Sequence, residues 1–376
     1  MQTLNVEQGG FKLARYPFRN NDLLRAWDAA DEYLLSYFSE QVQQQERLNI
    51  LIVNDAFAAL TTALSQHKIT FWSDSWISQQ ALRQNIELNN LSPDNLHFKN
   101  SLEKLDGEYN VVLIKIPKTL ALLEEQLIRI KPHITSQTKV IAAGMVKAIH
   151  TSTLKLFEKY IGSTKTSLAK KKARLIFATV DKSIADLKSP YPQSYTLENT
   201  DYKIINHANV FSRDSLDIGT RFFLQHLPQS EKHIKIIDLA CGNGVVGLIA
   251  AEKNPEAEVL FIDESFMAIE SAKENFQENL DSDQKAQFIV NDCLSGVEKN
   301  STDLILNNPP FHQNNAIGDD IAWQMFKQSK EVLKEKGELW VIGNRHLGYH
   351  IKLKKLFNSC EMIASNKKFV ILKAIK

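Results

Sequence analysis

"IKIIDLACGNGVVGL", residues 234–248, decides how the rest of the chain is read. Residues 234–240 are apolar except for Lys235 and Asp238, and the run has the length of a strand. Glycines follow, and 245–253 continue as an apolar segment suited to a helix. Gly242, Gly244 and Gly247 form a literal G-x-G-x-x-G between the two. Glycine permits a tight turn and lets a ligand approach the backbone closely. Strand, glycine turn and helix in that order open an α/β nucleotide-binding unit.

The pattern repeats outward. "EVLFIDES" (258–265) reads as a second strand and "FMAIESAKENFQENL" (266–280) as an amphipathic helix. "AQFIVNDC" (286–293) and "TDLILNNPP" (302–310) read as further strands. "AWQMFKQSKEVLKEKG" (322–337) reads as a helix capped by Gly337, and "ELWVIGN" and "KKFVILKAI" close the series. Strands alternating with helices predict an α/β fold, a mostly parallel sheet with helices on both faces.

The same order runs through the first half. "RLNILIVND", "ITFWSDSW", "LRQNIELNNL", "YNVVLIKIPK", "TKVIAAGMVKAIH" and "KKARLIFATV" parallel the second-half segments in turn. The chain therefore reads as an internal duplication: a domain over 1–185, a polar linker over 186–200 and a second domain over 201–376. The first copy has no glycine at the turn. It places Ser73 opposite Asp263 and Ile116 opposite Asn308, so it is expected to keep the sheet and lose the chemistry.

The glycine turn alone suits either a nicotinamide dinucleotide or S-adenosylmethionine (AdoMet). Asp263, with Glu264 beside it, ends the second strand, where a carboxylate accepts from ribose hydroxyls. Asp238 lies four residues before Gly242, where it would face a cationic amino-acid end; at a pyrophosphate it would repel the ligand. Asn291 and Asp292 end the third strand, placed to accept from an adenine amine. Together these favour AdoMet. Gly219, with Arg213 and Asp214 before it, either closes over the ligand or forms only a loop and helix. Asn308, Pro309, Pro310 and Phe311 then make a clamp for a planar amine. The Asn308 oxygen and the Pro309 carbonyl accept its N–H groups, the prolines stiffen the backbone, and Phe311 offers a stacking face. His312 either lines this site or is a surface residue.

The 376 residues are 43% hydrophobic and 24% charged, as in a globular protein of two domains. No apolar run reaches the ~18 residues that span a bilayer, and the N-terminal stretch lacks the apolar core of a signal peptide. Cys241, Cys293 and Cys360 have no metal spacing, so no metal is expected and a reducing cytoplasm is. Net charge is +1, yet residues 139–174 hold nine Lys or Arg against one acid. Lys165, Lys170, Lys171, Lys172 and Arg174 form the densest part, suited to RNA phosphates or to a solvated face.

"NVFSRDSLDIGTRFFLQHLP", "DLACGNGVVGL", "FIDESFMA", "LNNPPFHQ" and "GNRHLGYHIKLKKLF" closely resemble the ribosomal RNA guanine-N2 methyltransferases with tandem class I domains, most of all their large-subunit (23S) branch, with the small-subunit (16S) branch as the near alternative. The resemblance implies AdoMet as methyl donor, a 23S rRNA guanine as acceptor, a cytoplasmic bacterial enzyme and a non-catalytic N-terminal copy that helps bind RNA; the sequence itself makes no obligate protein partner evident. It carries the methionine side and turn onto Asp238, Gly242 and Gly244, the ribose onto Asp263, the adenine onto Asp292, and the target base onto residues 308–311. Ala240 departs from it, since relatives often have glycine there; a small residue is kept, so little consequence is expected. DNA adenine and protein glutamine methyltransferases, a nicotinamide oxidoreductase and an inert RNA-binding protein are the rival readings.

Overall fold

Apolar strands such as "KIIDL" are buried on both sides because each forms the middle of a three-layer sandwich. The computed structural model describes residues 1–18, 24–42, 47–310 and 316–376. It divides into two units, Met1–Tyr191 and Pro192–Lys376.

In the first unit the elements are β1 (Gln2–Val6), β2 (Gly9–Leu13), α1 (Ala29–Gln41), β3 (Asn49–Val53), α2 (Ala59–Ala63), β4 (Lys68–Ser73), α3 (Trp76–Leu88), β5 (Leu96–Asn100), β6 (Val111–Lys115), α4 (Leu120–Ile130), β7 (Lys139–Met145), α5 (Thr151–Tyr160), β8 (Thr164–Thr166) and β9 (Ala173–Ala178). The second unit has β10 (Gln193–Thr196), β11 (Lys203–Asn206), α6 (Ile218–Leu224), β12 (Lys235–Leu239), α7 (Val245–Lys253), β13 (Glu258–Asp263), α8 (Phe266–Asn279), β14 (Ala286–Val290), β15 (Thr302–Asn307), α9 (Ala316–Val332), β16 (Leu333–Asn344), α10 (Tyr349–Leu356), β17 (Ser359–Ser365) and β18 (Phe369–Ile375).

Each unit holds one seven-stranded sheet, ordered β5-β4-β3-β6-β7-β9-β8 in the first and β14-β13-β12-β15-β16-β18-β17 in the second. These are the same permutation. The first five strands in each order run parallel, and the last two add antiparallel. Apolar clusters lie on both faces of each sheet: Ile236, Phe261 and Leu304 belong to one in the second unit, Ile237, Ile262 and Ile305 to the other.

The likeness extends to single hydrogen bonds. Asn85 on α3 and Asn89 at its C-terminal cap hold the β1–β2 hairpin: Asn85 Nδ2 donates to the Ala14 carbonyl and to that of Phe57 in the turn after β3, and Asn89 Nδ2 to those of Lys12 and Asn85. Asn275 and Asn279 on α8 do the same for β10–β11, through the carbonyls of Ile205 and Asn243, and of Lys203 and Asn275. Both helices start with a serine cap, Ser75 and Ser265, each accepting from the backbone N–H three residues on. The duplication is thus present in packing and in pairing.

Two local readings differ. The polar stretch 186–200 includes strand β10, which pairs with β11. Gly337 does not cap α9, which ends at Val332; Leu333 already pairs with Thr302, and Lys336 takes the left-handed turn with φ 65°.

Candidate active site

The parallel register brings the predicted residues to one edge. Leu239 lies opposite Ile262 on one side and Asn307 on the other. Asp263 and Asn308 are each one residue further on, flanking the turn that leaves β12. This edge is the switch point of the sheet, where β12 sends its chain one way and β15 the other, and open α/β sheets form their clefts there.

The turn is left-handed at three places: Ala240 (φ 59°), Gly242 (56°) and Gly244 (75°). At Gly244 a Cβ would stand 2.7 Å from the Ala272 Cβ, so glycine lets α7 seat against α8. At Gly242 nothing lies within 4 Å of that position, so the backbone there borders open space. Ala240 pays a conformational cost that glycine would avoid, so size is not the property that matters at that position.

Asp263 is tied into the turn. Its Oδ2 accepts from the Gly242 N–H and its Oδ1 from the Ser265 N–H, both at 3.0 Å. Asp238 is buried and accepts from the Gly247 N–H at 2.7 Å. Burial, opposed by that N–H and reinforced by Asp263, pushes the Asp238 carboxyl up to about 7. Burial also raises the Cys241 thiol well above its ordinary range, so it is no nucleophile. Asn291 turns its amide into its own loop, donating to the Ser295 carbonyl at 2.7 Å. Asp292 is buried, and Gln324 Nε2 donates to both its oxygens at 3.1 Å. Glu264 is half-buried next to Asp263.

Beyond β15 the chain enters Asn308, Pro309 and Pro310. Asn307 is buried and its Nδ2 donates to the Leu239 carbonyl at 2.9 Å, which locks the strand end to β12. Asn308 Nδ2 donates to Thr220 Oγ1 at 3.0 Å, while Asn308 Oδ1 is buried with no partner among the described residues. Phe311 and His312 lie outside the described residues. Gly219 sits in the first turn of α6, between the Asp217 cap and Thr220. Arg213 pairs with Asp214 and reaches the Ala208 carbonyl.

The first unit keeps the turn without its glycines: Asn54 (φ 60°) and Ala58 (58°) hold the left-handed places of Ala240 and Gly244. Asp55 is buried within it, and its carboxylate accepts from the Ala59 and Thr61 N–H groups. Ser73 ends β4 as Asp263 ends β13. The equivalent of Asn308 is Lys115, not Ile116. Val53 pairs with Ile114 as Leu239 pairs with Asn307, so Lys115 is the residue one step on. Lys115 Nζ lies 2.6 Å from Asp31 and 2.8 Å from Asp28. Burial pulls its pKa down, but the two carboxylates outweigh that and hold it above the ordinary lysine value.

The basic stretch forms the β8–β9 hairpin. Lys165 is exposed on β8, and Lys170, Lys171 and Lys172 are exposed at the tip, with Lys171 and Lys172 both left-handed (φ 51° and 63°). Lys171 pairs with Glu32 at 2.8 Å, and Lys170 Nζ sits over the Tyr33 ring. Arg174 is half-buried on β9. Among the described residues no cluster of His, Cys, Asp and Glu is arranged for a metal, and no helix is long and apolar enough to cross a membrane.

Sequence reasoning did not find Thr220, Asp217 and Gln324. The "LDIGT" that carries the first two signals a helix cap, but the contact with Asn308 spans 88 residues. Gln324 gives no local signal.

Residues 1–182 match the RLMG N-terminal domain family, and residues 201–373 match the methyltransferase small domain family. Curated relatives called ribosomal RNA large subunit methyltransferase G align along nearly the whole length. The one from Aeromonas salmonicida is 50% identical over 378 residues, covering 100% of both chains. That from Psychromonas ingrahamii is 48% identical, covering 100% of this chain and 99% of the relative. That from Streptomyces avermitilis is 47% identical, covering 98% and 97%. Among solved structures, the T. thermophilus 16S rRNA N2 methyltransferase RsmC, in complex with AdoMet and guanosine, shares the fold with a TM-score of 0.78 at 17% identity, over 100% of this chain and 97% of that one. With close to half of its residues identical to these relatives from end to end, the chain belongs to the ribosomal RNA large subunit methyltransferase G family.

Proposed function

We propose that this chain transfers a methyl group from AdoMet to the exocyclic N2 amine of a guanine in 23S ribosomal RNA. The observation that carries the reading is the Asn308 carbonyl oxygen, buried and without a partner among the described residues, beside the glycine turn. Such an amine is a poor nucleophile, because its lone pair is delocalised into the ring. Acceptors at Asn308 Oδ1 and the Pro309 carbonyl bind its N–H groups, hold it in place and favour a more pyramidal nitrogen. Positioning supplies much of the rate in such a site. A strong general base is unnecessary, since the proton can leave after transfer. Phe311 offers the base a stacking face.

The residues present suit AdoMet. The open space at Gly242 admits a ligand against the backbone. Each Asp263 oxygen holds one backbone N–H, and a carboxylate oxygen can accept further bonds from ribose hydroxyls. Asp238 would face the ammonium end across the turn of Ala240, Gly242 and Gly244. Asp292, oriented by Gln324 and flanked by Asn291, would accept from the adenine amine; Glu264 and Gly219 border the site. AdoMet, when bound, supplies a methyl group already activated on a sulfonium.

Residues 1–185 serve as a non-catalytic copy that captures RNA, joined through 186–200 to the catalytic residues 201–376. Lys165, Lys170, Lys171, Lys172 and Arg174 supply phosphate contacts. The relatives' name favours the large-subunit over the small-subunit RNA, and an rRNA substrate argues for a cytoplasmic enzyme. The test is methyl-labelled AdoMet offered with 23S rRNA, 16S rRNA, duplex DNA and a release factor. Label is expected in 23S rRNA and, after nuclease digestion, in N2-methylguanosine by mass spectrometry. Label confined to 16S rRNA, DNA or protein would overturn the reading.

A further inference from the structure

An amide can meet a ligand with its oxygen or with its NH2, and at Asn308 the choice is made 88 residues away. Thr220 is buried in the first turn of α6. Its backbone N–H donates to Asp217 Oδ2 at 2.8 Å, and its hydroxyl makes a longer bond to the same oxygen at 3.4 Å. The carboxylate oxygen accepts that bond, so the hydroxyl directs its hydrogen at Asp217. It then has lone pairs, and no proton, to offer Asn308. Asn308 must answer with its NH2, which turns its oxygen the other way. That oxygen is the buried atom with no partner among the described residues.

We infer that Asp217 and Thr220 are positioning residues that fix the polarity of the Asn308 clamp; the inference rests on the methyl-transfer reading given above. With the oxygen presented, the clamp takes an N–H donor such as an exocyclic amine and rejects a base carrying a carbonyl at that place. A rotated amide would set donor against donor.

Two further observations make the relay a built feature. A Cβ at Gly219 would stand 2.9 Å from Asp217 Oδ2 and 3.1 Å from the Phe369 ring, so the glycine is what lets the carboxylate fold back over the turn. The first unit has the same frame with other chemistry. Asp28 caps α1, and Asp31, three residues on, reaches Lys115, the register equivalent of Asn308. The residue third from the cap meets the end of the fourth parallel strand in both units. A carboxylate receives a cation in one, and a hydroxyl receives an amide in the other.

The experiment compares Thr220→Val, Thr220→Ser and Asp217→Ala with wild type. It reads single-turnover methyl transfer to 23S rRNA at saturating AdoMet, together with AdoMet affinity by calorimetry. Thr220→Val should slow transfer by roughly tenfold or more, because the amide is no longer oriented. Thr220→Ser keeps the hydroxyl and should restore the rate to within about threefold of wild type, with AdoMet affinity within about twofold in both variants. Asp217→Ala removes the oxygen that accepts from the hydroxyl and lets the hydroxyl reverse, so it should slow transfer with affinity within about twofold; it carries the test if Thr220→Val does not fold. Thr220→Val or Asp217→Ala at the wild-type rate, or Thr220→Ser as slow as Thr220→Val, overturns the inference alone. A wild-type enzyme that methylates no RNA overturns the functional reading and the inference with it.

Discussion

Lys115 Nζ lies 2.6 Å from the Asp31 carboxylate, in the frame where the second unit sets Asn308 against Thr220. The first copy has therefore lost more than its glycines, because a charged pair now occupies the place of the clamp. Asp31 is 5% exposed. Removing one partner of a mostly buried pair leaves the other charge uncompensated, which costs about 3–5 kcal/mol. Lys115→Met should lower the unfolding free energy of the first unit by about that amount in a denaturant titration. A loss below about 1 kcal/mol would mean the pair behaves as an exposed one.

Asp263 and Asn308 separate binding from turnover. Charge-assisted hydrogen bonds are worth about 1.5–3 kcal/mol each, so Asp263→Ala should weaken AdoMet binding by roughly tenfold or more. Asn308→Ala should leave that affinity nearly intact while cutting single-turnover methylation strongly. Calorimetry and a labelled-methyl assay on the same two variants check both halves.

Asp238 gives a pH dependence with a definite sign. Its folded pKa is about 7 against an ordinary 3.8. Between those values the folded chain keeps a proton that the unfolded chain has released. Asp238 therefore withdraws stability as pH rises from about 4 to about 7. A cation held by the ionised carboxylate works the other way. AdoMet affinity should fall as pH drops below 7, approaching about tenfold per unit. Asp238→Asn should bind weakly with a flat profile. Wild-type affinity constant from pH 5.5 to 7.5 would remove Asp238 from the cationic end of the ligand.

The β8–β9 tip trades stability for charge. Lys171 and Lys172 both have positive φ, a conformation that Asn and Gly adopt more cheaply by about 1–2 kcal/mol per residue. The double change Lys171→Asn, Lys172→Gly should raise thermal stability and lower RNA affinity. Changing Lys170, Lys171 and Lys172 to Gln should flatten the log–log salt dependence of RNA binding by about 0.7–0.9 for each phosphate left unneutralised, without moving AdoMet affinity. An unaltered salt slope would take the hairpin off the RNA surface.

The edge of the second sheet is legible in the sequence because buried parallel strands read as unbroken apolar runs, and the polar residues that close those runs, Asp263 in one and Asn307 and Asn308 in the other, mark where each strand stops. Proline sharpens the second of those boundaries. The duplication is legible for the same reason, down to the paired asparagines of "LRQNIELNNL" and "AKENFQENL". The first copy's strand end lies one residue earlier than its proline suggests: matching "KIPK" to "NNPP" by proline selects Ile116, whereas the ladder counts from Val53 and Ile114. The cap of Asp217 on Thr220 is local, but the contacts of Thr220 with Asn308 and of Gln324 with Asp292 are illegible because they are set by how helices pack on the sheet. Gly337 is no helix cap because a left-handed turn at Lys336 overrides the residue preference.

The asparagine pairs on α3 and α8 have one more consequence. They bind each hairpin to its helix through backbone groups alone, whatever stands at the sheet edge. After a gene was copied, mutations could accumulate at the turn and at the end of the fourth parallel strand while this stitching held the domain together. An ancestor with two working sites could thus have drifted to one through intermediates that all folded, with the retired copy left free to acquire a different surface.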